Sequence, residues 1–112
     1  MSQKSKKKAI WIAIALSGFI SSSYAQNSSG PNLVQQYGCL NCHNTDQKLV
    51  GPAYKAVSEK YQGDTNSAVN TLAQKIKAGG AGNWGRIPMP PHPNISDEDA
   101  KTMVTWILSL KQ

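Results

Sequence analysis

The feature that most limits what this chain can fold into is the run Cys39-Leu40-Asn41-Cys42-His43, which holds both of its cysteines and one of its two histidines. Two thiols three residues apart on a tight turn can reach the two vinyl groups on one side of a porphyrin, and the next residue then sets an imidazole beneath the iron. Such spacing is the attachment pattern for covalently bound haem, with each thiol spent in a thioether. Two other uses of the pair stand beside it. A disulfide suits an oxidising compartment, and half of a zinc site would need two further ligands, with only His92 at hand. The adjacent His43 and an export signal favour a single haem c held through Cys39 and Cys42.

The export signal occupies the first 25 residues. Residues 1–8 are basic, residues 9–20 (AIWIAIALSGFI) are apolar, and residues 21–25 (SSSYA) are small and mostly polar, the three-part order of a signal peptide. The apolar run is well short of the roughly 20 residues that span a bilayer as a helix. Ser23 and Ala25 supply small side chains for a cleavage site, so cleavage is expected after Ala25, leaving residues 26–112 as one domain. No cysteine follows that site to carry a lipid, and no stable membrane insertion is expected afterwards. A domain this small buries little apolar surface relative to its chain entropy and needs a staple such as a large bound cofactor.

Charge points away from nucleic acid. The chain is +6, but Lys4, Lys6, Lys7 and Lys8 leave with the signal, so eight basic residues remain against six acidic ones and the net falls to +2. No basic stripe survives that would grip phosphates.

Apolar residues recur at helical spacing in four places, and no stretch alternates as a strand would. Pro31 opens a first helix with Leu33, Val34 and Tyr37, stopped by Gly38. Tyr54, Val57 and Tyr61 mark a second, stopped by Gly63. A third, capped by Asn66 or Ser67, runs through Val69, Leu72, Ala73 and Ile76 to Gly79-Gly80. The fourth starts at Ser96, with Asp99 three residues on as in a capping box, and its stripe is Met103, Val104, Trp106, Ile107 and Leu110. The expected fold is all-α, about four short helices.

Between the last two helices, residues 79–94 (GGAGNWGRIPMPPHPN) are rich in glycine and proline and have nowhere for a helix to continue. So long a loop in so small a domain needs something to wrap. It carries Met89, which the flanking prolines stiffen. An iron held by one imidazole has a sixth position, and a methionine in a rigid loop suits it better than Met103 on a core stripe. The alternative is that Met89 only covers the haem face.

The chain resembles the small bacterial class I cytochromes c, short periplasmic single-haem donors to nitrite reductase or terminal oxidases. The matching text is Gly38-Cys39 to His43, Leu49-Val50-Gly51-Pro52-Ala53-Tyr54-Lys55, Leu72 to Lys77, Trp84-Gly85-Arg86-Ile87-Pro88-Met89-Pro90-Pro91, and Ser96-Asp97 to Leu110. The resemblance implies the class I fold wrapped around one haem, with His43 and Met89 as axial ligands. It implies that the Pro52 carbonyl accepts the ring N–H of His43, and that Trp84 and Lys75 reach a haem propionate. The family often has Arg at the Lys75 position, so a forked contact becomes a point-charge one here. Where the family commonly places an Asn donating toward the thioether sulfur, either His92 or Asn94 is the candidate.

The expected function is one-electron transfer in the periplasm by a monomer that is not itself an enzyme, between redox proteins such as nitrite reductase, a terminal oxidase or an upstream cytochrome complex. Two other classes compete: a haem protein whose methionine yields to a small ligand, as sensor or peroxidase, and a thiol–disulfide oxidoreductase, which lacks the βαβ pattern expected around its cysteines. Leu40, Leu49, Val50 and Ile87, with Lys48 beside them, are candidates for an apolar docking rim. His92 is a candidate to tune the potential.

Overall fold

The computed structural model describes residues 29–112 and, ahead of them, Gly18 alone. The expected signal peptide otherwise lies outside the described residues. Four helices follow in order: α1 (Gly30–Gln36), α2 (Tyr54–Lys60), α3 (Thr65–Ala78) and α4 (Asp97–Ser109), with a single 3-10 turn at Cys39–Asn41. Among the described residues the nearest approach to a sheet is one antiparallel bridge between Gly80 and Met89.

Pro31 sits in the first turn of α1, where its missing N–H costs no hydrogen bond. Gly38, with φ of 72°, then adopts the left-handed conformation that swings the chain from α1 into the turn bearing Cys39. The third helix starts slightly earlier than its sequence suggests: neither Asn66 nor Ser67 caps it, both lie inside it, and Asp64 occupies the cap position without a side-chain bond. The reason is local. Asp64 N–H already closes a turn onto the Tyr61 carbonyl, so the reversal after α2 is complete and α3 begins at once. Ser96 caps α4 as expected, its Oγ accepting from the Asp99 N–H at 3.0 Å. The capping box is not reciprocal, however, because the Asp99 carboxylate accepts from the Tyr37 hydroxyl at 2.8 Å and ties α1 to α4.

The last helix is the hub, packing against α1, α2 and α3. Its Ala100, Met103, Val104 and Ile107 meet Leu33 and Val34 of α1, Tyr54 and Val57 of α2, and Ala73 of α3 in one core. Full burial of a side chain such as Met103 or Val104 contributes about 1.5–3 kcal/mol. The α1–α4 crossing is close enough that a Cβ on Gly30 would lie 2.2 Å from Trp106 Cβ. In the last turn of α4 and at its C-cap, where helix carbonyls lack partners, the buried Ser58 hydroxyl lies 3.0 and 2.7 Å from the Leu108 and Leu110 carbonyls. No described helix is long and apolar enough to cross a membrane.

Candidate cofactor cleft

The four helices do not close on one another. They leave a cleft of about 310 Å³ whose apolar walls include Val34, Tyr54, Val57, Leu72, Met103, Val104 and Ile107, roofed by the loop at residues 80–90. The seven residues that the sequence assigns to binding the haem all line it: Cys39, Cys42, His43, Pro52, Lys75, Trp84 and Met89.

The attachment cysteines enter from the 3-10 turn and its end, half-buried and not joined to each other. Burial pushes the Cys39 thiol above its ordinary pKa, against a hydrogen bond from the Tyr54 hydroxyl. Burial likewise raises the Tyr54 hydroxyl, with Cys39 adding to it. Among the described residues no group of three or more His, Cys, Asp or Glu side chains gathers as a metal cage.

His43 is held from several sides. Its Nδ1–H donates to the Pro52 carbonyl at 2.8 Å, as expected, which leaves Nε2 with its lone pair. Its ring stacks on Tyr54, centroids 5.1 Å apart, and Tyr54 meets Trp106 edge-on at 5.7 Å. A row of three rings therefore runs from the cleft to the α1–α4 crossing. The Gly51 backbone packs directly against the imidazole, and its N–H donates to the Cys42 carbonyl at 2.7 Å.

Met89 comes from the other side of the sequence and is fastened through its backbone. Its N–H donates to the Gly80 carbonyl at 2.9 Å, and its carbonyl accepts from the Gly80 N–H at 3.0 Å. Gly79, with φ of 69°, makes that approach possible: a Cβ there would lie 2.5 Å from the Met89 carbonyl oxygen. His92 donates its own N–H to the last carbonyls of α3, at Ile76 and Lys77. Neither His92 nor Asn94 lines the cleft, whereas Asn83 does. Neither candidate sulfur donor therefore reaches the cleft wall, because the chain leaves it at Pro90 to cap α3.

Charge around the cleft is one-sided. Lys48, Lys75 and Arg86 line it, and among the described residues no carboxylate does. The apolar residues at its rim are open: Leu49 is 46%, Val50 53% and Ile87 67% exposed, and Leu40 nearby is 45% exposed. Trp84, 38% exposed, lies beneath the ammonium of Lys60, which stands 4.6 Å from its ring centroid.

Sequence reasoning missed Gly51 and Tyr54 as parts of this site, and Lys60 as the cation over Trp84. Tyr54 carried a signal, a large aromatic two residues past Pro52, but its helical spacing assigned it wholly to the core. An apolar slot with two thiols, an imidazole with a free Nε2 and a thioether is a donor set that fits haem c and little else.

Comparison with known proteins gives the same answer. The family model described as cytochrome c matches residues 28–111. The chain is 53% identical over 83 residues to the cytochrome c-551 of Azotobacter vinelandii, covering 74% of this chain and 99% of that protein. It is 44% identical over 105 residues to the cytochrome c-552 of Nitrosomonas europaea, covering 93% and 99%. The crystal structure of wild-type Nitrosomonas europaea cytochrome c552 superimposes with a TM-score of 0.68 at 48% identity, covering 72% of this chain and 99% of that one.

Proposed function

The chain belongs to the cytochrome c family and is a single-haem electron carrier, and on that premise we propose that its iron is held by His43 Nε2 and the Met89 thioether. The haem c is covalent through the Cys39–Cys42 pair, and when bound it supplies the one-electron couple; the protein's work is to hold, shield and present it. The observation that carries the ligand assignment is the convergence of His43 and Met89, 46 residues apart in sequence, on one apolar cleft that also contains both thiols.

Each residue has a part in that work. The Pro52 carbonyl fixes the His43 tautomer and raises the donor strength of Nε2. The Gly80–Met89 bridge holds the thioether-bearing residue by its backbone. Lys75 and Trp84 line the same cleft and are suited to a haem carboxylate, one as a point charge and the other through its indole N–H. A visible spectrum of the mature protein tests the ligands. A weak band near the red end, lost in both His43→Ala and Met89→Ala, is expected, and its absence from the parent would return the site to an open, ligand-binding reading.

The partners are redox proteins. A nitrite reductase, a terminal oxidase or an upstream cytochrome complex would meet the edge framed by Leu49, Val50 and Ile87, beside Lys48 and Arg86, which form no ion pair among the described residues. The protein works as a monomer in the periplasm after losing residues 1–25; cell fractionation with N-terminal sequencing, beginning at Gln26, checks both the location and the cleavage.

A further inference from the structure

The loop over the cleft is fastened unequally along its length. Its base is tight: Gly79 packs against the Met89–Pro91 backbone, and Gly80 exchanges two hydrogen bonds with Met89. Its tip is not. Gly82 and Gly85, on either side of Trp84, have φ of 109° and 130°, and a Cβ on either would meet nothing within 4 Å. One backbone bond, Gly82 N–H to the Gly85 carbonyl at 2.9 Å, closes the tip on itself without tying it to the helices.

What reaches the tip from the helical scaffold is Lys60, the last residue of α2. Its ammonium stands 4.6 Å from the Trp84 centroid and 5.8 Å from that of Tyr61, within range of attraction to both π faces. Among the described residues no carboxylate pairs with it, the two ion pairs being Lys55–Asp46 and Lys77–Asp97. An exposed ammonium lying on an indole rather than on an acid gains little from salt-bridge chemistry but restrains the ring.

We infer that Lys60 is a positioning residue that holds the Trp84 tip down over the cleft and so limits water at the haem edge. The inference rests on the cleft being the haem seat. Opening the tip would admit water, which favours the more highly charged ferric state, so the potential should fall when the restraint is lost.

The test uses the mature, haem-loaded ferrous protein and measures hydrogen exchange of the Trp84 indole N–H by NMR. An exposed cation–π contact of the ordinary size predicts about two- to fivefold faster exchange in Lys60→Met, with Lys60→Arg at the parent rate. Losing a nearby cation would by itself slow hydroxide-catalysed exchange, so acceleration reports opening rather than charge. The potential should fall in Lys60→Met, and by less when Trp84→Leu is already present. Unchanged or slower exchange, or an identical potential shift with and without Trp84, overturns the inference. The absorption spectrum keeps the ligand assignment separate: a parent lacking the methionine band defeats that assignment, while the exchange comparison still decides the role of Lys60.

Discussion

Gly51 lies so close to His43 that a Cβ on it would stand 2.4 Å from Cε1 and under 3 Å from both ring nitrogens. The constraint is one of space. The same short segment supplies the Pro52 carbonyl that takes the Nδ1–H, so one turn of backbone both orients the imidazole and walls it in.

Gly51→Ala is therefore expected to push the ring off its bond to Pro52. Overpacking of this kind costs about 1–3 kcal/mol, read as a lower Tm of the holoprotein, and the reduction potential should move with it. A variant with parent Tm and parent potential would show that the ring has slack the structure does not display.

The cleft is lined by core residues, among them Val34, Val57, Met103 and Val104, so the group that fills it belongs to the core. Replacing both Cys39 and Cys42 with Ala should leave mostly unfolded chain by circular dichroism. A cooperative thermal transition in the haem-free protein would contradict this.

Ile87 and Val50 are open to solvent at the rim, so Ile87→Glu and Val50→Glu should leave Tm nearly unchanged. Transfer to a redox partner should slow in stopped-flow measurements, since a charge replaces apolar contact at the docking edge. Equal partner rates would move the docking edge elsewhere.

Ser58 is buried, and its one hydroxyl proton is shared between the Leu108 and Leu110 carbonyls at the end of α4. Ser58→Ala leaves them without it, at an expected cost of about 1–3 kcal/mol in denaturant unfolding. A change within error would mean that water takes the hydroxyl's place.

The Lys77 ammonium, chiefly through its hydrogen bond and then through its charge, holds the Asp97 carboxyl below the usual carboxylate range. Because the folded value is depressed, the contribution is present above the unfolded pKa of 3.8 and is lost as pH falls through the lower folded value. Asp97→Asn should flatten that part of the acid limb of Tm against pH. Both residues retain solvent contact, so the effect is small. An acid limb of unchanged slope would show that the pair contributes nothing.

Where the chemistry is local, the sequence was a sufficient guide. The spacing from Cys39 to His43, the Ser96 cap and the period of Met103, Val104 and Ile107 each depend on residues a turn or two apart, and each stands as read. What escaped depends on the path of the chain between distant segments. Nothing near Lys60 announces Trp84, 24 residues on, because their meeting follows from where two glycines send the loop tip. Asp99 looked like the second half of a capping box until Tyr37, 62 residues away, claimed its carboxylate. The choice between His92 and Asn94 was open in the sequence for a similar reason: the His92 N–H meets the Ile76 and Lys77 carbonyls near the end of α3, and neither residue lines the cleft.

The central place of α4 also governs when the protein can fold. Leu33 and Val34, Tyr54 and Val57, and Ala73 all complete their packing on a helix that spans Asp97–Ser109, and non-local contacts of this kind bring no stability until both partners exist. A chain emerging segment by segment from a ribosome or a translocation pore therefore has no native unit to settle into while its last helix is missing. Cys39 and Cys42 line the cleft that those contacts enclose, so until α4 arrives the two thiols stand on chain that has not yet closed around them.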